Sequence, residues 1–314
     1  MNYRILMLLQ LQAFVLLIHA TKSDRVYAKS PGIESYLESV DKISSFDILL
    51  SQKKTPLLKP ISSPGVSRNG RKVTTLSYVN FSPDEERVVT LGTTRQVCES
   101  SGRRRIEINP HGRQFDLAKV FDGEVVRAFD TKHLEASIVG NLPAQVPLLA
   151  NENRYDTLYS EIFDGGTFGE LFESRDIVNI EAKERLVLVH VPPQPGNKMY
   201  PKYDFRLVLD LDHGGLPTRI ETRLGDVLKS ITQISRFHQL DDGAWVPIEA
   251  SHEFYISRDR VAPTAYHRVD LTVDLAISTW NIPVDGAEFL LPFPHGTRVR
   301  DDVRGAIMVV EGDR

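Results

Sequence analysis

Nine histidines are present, and apart from His19 they are scattered: His111, His133, His190, His213, His238, His252, His267 and His295. No two occupy the i, i+4 positions of a zinc-binding HExxH helix; His252-Glu253 is followed by neither a second histidine nor a helical period. His190 and His252 fall in strand-like stretches. A hydrolase built on them and Glu253 requires strand order to bring all three into one cleft, because proton transfer needs near hydrogen-bond contact. Asp210, Asp212 and His213 cluster before Gly214-Gly215, a set that suits a cation and equally the end of a hairpin. G-x-S-x-G elbows, Walker loops and G-x-G-x-x-G turns are all absent. The single cysteine, Cys98, excludes an intrachain disulfide and a multi-cysteine metal site. With no histidine or second cysteine beside it, Cys98 reads as a buried, unreactive thiol, or else as a pairing site between chains in an oxidising compartment. The run Arg103-Arg104-Arg105 lacks the glycines or aromatics of an anion site and reads as a solvated strand start. Asn80-Phe81-Ser82 satisfies the glycosylation sequon, which has meaning only in a eukaryotic secretory pathway. The residues therefore present no catalytic constellation, no metal-ligand set and no requirement for a cofactor.

The chain that must position these residues has 314 of them, 41% hydrophobic and 25% charged, with a formal net charge of −4. That balance excludes disorder and collagen, and the charge argues against a nucleic-acid partner. The N-terminus, MNYRILMLLQLQAFVLLIHATKS, carries one positive charge at Arg4, then an apolar run from Ile5 to Ile18, then small residues. The run is short for roughly 30 Å of hydrocarbon. Its flanks match a secretory signal over residues 1–20, cleaved after Ala20, so the protein is expected in the periplasm or beyond and not as a spanning chain. No cysteine follows the run, so no lipid anchor is expected.

Ser30-Pro31 offers a helix N-cap and a proline in the first turn, and Ile33, Tyr36, Leu37, Val40 and Ile43 follow at helical spacing, so residues 31–43 are expected to be helical. Residues 46–68 begin strand-like and dissolve into a Pro/Ser-rich loop. From Val73 onward the pattern is strands separated by turns at Ser101-Gly102, Asp122-Gly123, Gly214-Gly215, Gly225-Asp226 and Asp242-Gly243. Alternation is cleanest in YDFRLVLDLD, where Tyr203, Phe205, Leu207, Leu209 and Leu211 share a face. In HRVDLTVDLAI the shared face is Val269, Leu271, Val273, Leu275 and Ile277. A period of two with one apolar face indicates an antiparallel sheet dry on one side. From Ile177 to Ile277 the hairpin spacing predicts an unbroken meander. Residues 154–176 differ: two helical turns broken at Gly165-Gly166 and rich in aromatics. The residues after Asn281 read as a proline-punctuated tail packed across the sheet's edge.

Gly215-Leu216-Pro217-Thr218-Arg219-Ile220, the Trp245-Val246-Pro247 opening and the Asp122-Gly123 hairpin within residues 120–130 resemble the LolA/LolB-like outer-membrane lipoprotein-sorting superfamily. The resemblance implies a mainly β (α+β) fold: a curved antiparallel sheet forming an incomplete barrel, with an N-terminal helix and short helices covering its concave face. Residues 21–314 would form a single domain of this kind with extended loops and a C-terminal tail. It further implies a periplasmic partner that is a lipid or an acylated protein, held in the hollow of the sheet. Tyr203, Phe205, Leu207, Val269, Leu271 and Val273 are then the candidate lining, or the filling of a closed core. Tyr159, Phe163 and Phe168 would belong to a lid hinged at Gly165-Gly166. Two other functions remain open from the residues: an envelope interaction or sensing module on the same fold, and the hydrolase on strand-borne His and carboxylates.

Overall fold

Alternating apolar and charged side chains make strands with one dry face, and such strands bury that face only by joining edge to edge. The computed structural model describes residues 31–66, 72–80, 89–99, 101–109, 115–140, 180–193, 203–256 and 263–311. Residues Gly32–Arg314 make one compact unit. It begins with α1 (Pro31–Asp41), then β1 (Ser45–Pro56), β2 (Leu58–Val66), β3 (Lys72–Asn80), β4 (Val89–Glu99), β5 (Arg104–Ile108), β6 (Leu117–Phe121), β7 (Val125–Asp130) and β8 (Glu135–Gly140). There follow β9 (Ile180–Lys183), β10 (Leu186–Val191), β11 (Tyr203–Asp210), β12 (Leu216–Leu224), β13 (Val227–Gln239), β14 (Trp245–Ile256) and β15 (Thr264–Val273). The last strands are β16 (Thr279–Trp280), β17 (Arg298–Asp301) and β18 (Ala306–Val309).

Sixteen strands form one sheet in the order β18-β17-β8-β7-β6-β5-β4-β1-β15-β14-β13-β12-β11-β10-β9, with β16 alongside β1. Its end strands, β18 and β9, do not pair with each other among the described residues, and the sheet is open and curved and does not close into a barrel. β9 to β15 follow one another as the expected meander. All pairings are antiparallel except β17 on β8, which is parallel. Of the expected covering helices, α1 is the one α-helix among the described residues; the stretch 154–176, with its lid candidates Tyr159, Phe163 and Phe168, lies outside them, as do residues 1–30. No helix among the described residues is long and apolar enough to cross a membrane.

Several expectations need correction. The helix stops at Asp41, although Ile43 is still buried, its N–H bonded to the Val40 carbonyl at 3.0 Å. Residues 46–68 do not dissolve into loop: β2 pairs with β3 as a separate two-stranded ribbon. Pro60 and Pro64 are compatible with this because β2 has a partner on one side only, so a missing N–H can face away from the ladder. The alternation of β15 ends at Val273, leaving Leu275 and Ile277 exposed. The Asp274 carboxylate accepts from the Ala276 N–H at 3.0 Å and turns the chain there.

The C-terminal region does more than lie on an edge. β17 extends the sheet from β8, while Phe289 and Leu291 pack on the face that carries Val97, Ala118, Val120, Phe129 and Val299. Arginines of the 103–105 run help to hold it there. Arg105 donates to the carbonyls of Glu288 (2.9 Å) and Leu290 (3.2 Å), and Arg103 lies over the Phe289 ring at 4.6 Å. Arg95 joins Asp47 through two hydrogen bonds of 2.9 and 2.6 Å and reaches Glu288 at 3.1 Å. The run is thus a clasp for the chain's end and not a solvated strand start.

Candidate ligand-binding face

Register decides which residues share a face. Starting from β1, Leu50 sits opposite Val273, Gln52 opposite Leu271 and Lys54 opposite Val269. The row continues from Val269 to His252, Thr232, Ile220, Leu207 and Val189. Helix α1 packs on this same face: Ile33 and Tyr36 belong to one buried cluster with Val187, Phe205, Leu207, Leu209, Val269, Leu271 and Val273. Gly32 lies against Val187 so closely that a Cβ there would fall 2.8 Å from the valine side chain. The candidate lining residues are therefore brought together. Phe205, Leu207, Val269, Leu271 and Val273 are buried, and Tyr203 packs half-buried at the edge of the cluster.

The face continues past β1 in the other direction. One row runs Ile48, Gln96, Ile106, Lys119, Ala128, Ser137, Arg300, Ile307. Its neighbour runs Leu50, Thr94, Ile108, Leu117, Asp130, Glu135, Arg298, Val309. Over β5 to β8 most of these side chains are only half-buried, because the C-terminal segment covers the reverse face. At the far end they border a cleft of about 390 Å³ lined by Ala128, Glu135, Ala136, Ser137, Arg298, Arg300 and Ile307. Sequence reading missed this cleft. The alternating Arg298-Val299-Arg300 was the available signal, but the strand it joins lies far back in the chain.

Polar side chains pair across neighbouring strands of the face. Gln52 donates from Nε2 to Thr94 Oγ1 at 3.0 Å, and Thr232 Oγ1 lies 2.8 Å from His252 Nδ1. His252, Phe254 and His267 form a ladder of rings, with centroids 4.2 and 4.4 Å apart. Burial, aided by the charge of Lys54, pushes the His267 imidazole down to about 4, so His267 is neutral at ordinary pH.

The reverse face over β10 to β15 is a lattice of charges. Arg219 meets Glu221 at 2.8 Å, Arg268 meets Asp270 at 2.7 Å, and Tyr255 donates to Glu253 at 2.6 Å. Burial and the Glu253 carboxylate raise the Tyr255 phenol to about 12. His190, bonded to Asp204 at 2.5 Å, and Glu253 both lie on this face, whereas His252 points to the other. His190 and Glu253 are four strands apart, about 19 Å at the usual interstrand spacing, so the trio forms no catalytic site.

The Asp210, Asp212, His213 cluster is hairpin-end chemistry. Asp210 accepts from the Asp212 N–H at 3.0 Å and pairs with His213 at 2.8 Å, capping a short 3-10 turn. His213 then stacks on Phe237 at 4.4 Å, edge-on to Trp245 at 4.8 Å. Cys98 is in no disulfide and packs half-buried against the main apolar cluster.

No protein-family model matches the chain, and no curated protein matches it by sequence. Among solved structures it is similar to a LolA superfamily protein from Nitrosomonas europaea, at 11% identity and a TM-score of 0.46, over 81% of this chain and 96% of that one. It is also similar to a domain from Vibrio parahaemolyticus named for outer membrane lipoprotein sorting, at 11% identity and a TM-score of 0.44, over 82% of this chain and 95% of that one.

Proposed function

We propose that this is an exported, non-enzymatic protein that holds a lipid or the acyl chain of a lipoprotein against the α1-bearing face of its open sheet. Residues 1–20 would be its secretory signal, residues 21–314 the mature domain, and the periplasm or beyond its place of action. Tyr203, Phe205, Leu207, Val269, Leu271 and Val273 are proposed as the apolar floor, and Tyr159, Phe163 and Phe168 as part of its cover. The supporting observation is continuity. One face passes without a break from the buried apolar cluster to the half-exposed side chains of β5 to β8, in a sheet that never closes. A hydrocarbon laid there gains about 0.8 kcal/mol per buried methylene, so a long chain is held without any directional contact.

Lipid extraction and mass spectrometry of protein purified from its native envelope test the reading. Co-purified lipid, together with saturable binding of a fluorescent fatty-acid ester, is the expected result. Absence of both overturns it.

A second reading, an envelope interaction module on the same fold, draws on β18. Ile307, Met308 and Val309 are 65%, 37% and 59% exposed on a strand at the sheet's end. Such an apolar edge is suited to adding a strand from another protein. Cross-linking from position 309 in intact cells separates the two readings: a discrete protein adduct with no co-purified lipid favours the second.

A further inference from the structure

The cleft at the β17 end of the ligand face carries a charge pattern that a purely apolar ligand would not use. Across β6, β7, β8 and β17, one register row reads Lys119, Ala128, Ser137, Arg300: two small residues between two cations. The small residues leave the cleft open, and Ile307 on β18 forms its outer wall. Arg298 stands in the adjacent row, beside Glu135. Arg300 is shared with Asp302, at 2.7 and 2.8 Å. Among the described residues, Lys119 and Arg298 make no ion pair, so neither is committed to a carboxylate of the protein. Asp130, the nearest carboxylate in the Arg298 row besides Glu135, is bonded to His133 at 2.8 Å. Beyond the cleft the same face continues across β6 to Ile108 of β5, four strands or about 19 Å from β17, the scale of a long acyl chain.

We infer that this cleft binds the anionic head, carboxylate or phosphate, of an amphiphile whose hydrocarbon chain runs over the half-buried Leu117 of β6 toward Ile108 of β5. The inference rests on the apolar-chain reading above and adds to it the headgroup class and the residues that choose it. Arg298 supplies the guanidinium fork that suits a carboxylate or a phosphate, Ser137 a hydroxyl on the floor, and Lys119, one strand beyond Ala128 in the same row, a point charge on a flexible stem. Glu135 opposes the anion and limits affinity.

The test compares a fluorescent polyene fatty acid with its methyl ester, titrated into the purified protein at low and at high salt. Charge-assisted hydrogen bonds of this kind correspond to a preference for the acid of about tenfold or more, shrinking with salt. Arg298→Glu is expected to abolish that preference while leaving ester binding within about twofold, as suits an exposed site whose change does not touch the apolar floor. Glu135→Gln is expected to move the other way, tightening the acid about two- to threefold. Both positions are exposed, and unchanged circular dichroism confirms that each variant folds. Competition by a short-chain phosphatidic acid, against the same lipid with a neutral head, asks whether phosphate serves as well as carboxylate. Equal binding of acid and ester by the unmodified protein overturns the headgroup site and leaves the apolar reading standing. Failure of both to bind overturns the two together. Displacement by acetate or inorganic phosphate alone would show a free-anion site and overturn the amphiphile.

Discussion

Gly215 lies directly against the backbone of Tyr36: a Cβ on Gly215 would fall 2.5 Å from the Tyr36 nitrogen and 2.6 Å from the Gly32 carbonyl oxygen. Its φ of +72° adds a second requirement for glycine. Helix α1 therefore reaches the sheet only because the turn before β12 has no side chain, and Tyr36, fully buried, fills the space that results. The Ser39 hydroxyl completes the contact by donating to the Gly214 carbonyl at 2.6 Å.

Gly215→Ala should accordingly push α1 off the sheet. A loss of at least about 2 kcal/mol in urea denaturation is expected, from the clash together with the positive φ. Faster hydrogen exchange should appear in α1 before it appears in β11. A variant as stable as the parent would show that α1 is not seated by this contact.

Arg105 should matter to the C-terminal segment more than its place in an arginine run implies. It pairs with Glu107 at 2.5 Å and also binds two carbonyls of the segment. Arg105→Ala leaves the buried Glu107 carboxylate with Arg95 alone, 3.6 Å away, and is expected to cost about 2–3 kcal/mol. Exchange protection around Phe289 and Leu291 should fall first. Arg300→Ala, whose partner Asp302 is exposed, should leave the urea midpoint unchanged.

His267 predicts a pH dependence with a definite sign. Its imidazole is held down to about 4 in the folded chain, against an ordinary value of 6.5. Between those values the unfolded chain binds the extra proton and the folded one does not, so stability declines as pH is lowered from 6.5 toward 4 and this contribution levels off below. The urea midpoint should follow that course, and His267→Gln should flatten the slope within this window. An unchanged slope in the variant would assign the acid sensitivity to other groups.

Cys98 should be slow to react. Its side chain packs half-buried beside the main cluster, on the face of β4 that also carries Gln96, so a bulky reagent has poor access to it. Ellman's reagent is expected to label it at least about tenfold more slowly in the folded protein than in denaturant. Non-reducing electrophoresis should show no disulfide-linked dimer. Labelling at the denatured rate would place the thiol at an accessible surface.

Much of the fold was legible because it is local. The alternation in β11 and β15 settles which side chains face inward, and Gly214-Gly215 and Asp242-Gly243 mark where the chain reverses. Those signals put Tyr203, Phe205 and Leu207 on the apolar face of one strand and Val269, Leu271 and Val273 on that of another; that the two faces join is decided by register. The same local reading failed at Leu275 and Ile277, where the Asp274 side chain bonds the following backbone and ends a strand that periodicity alone would extend.

The sequence by itself determined the antiparallel meander, its turns and the dry side of each strand, since all three depend on residues a few positions apart. Only the tertiary structure decided that β17 returns to lie parallel to β8, placing Arg298 and Arg300 beside Ser137, and that Phe289 and Leu291 cover the reverse face. Pairing between distant segments depends on which edges are still vacant once the local hairpins have formed. That competition is among all the strands at once, and no short window of residues contains it.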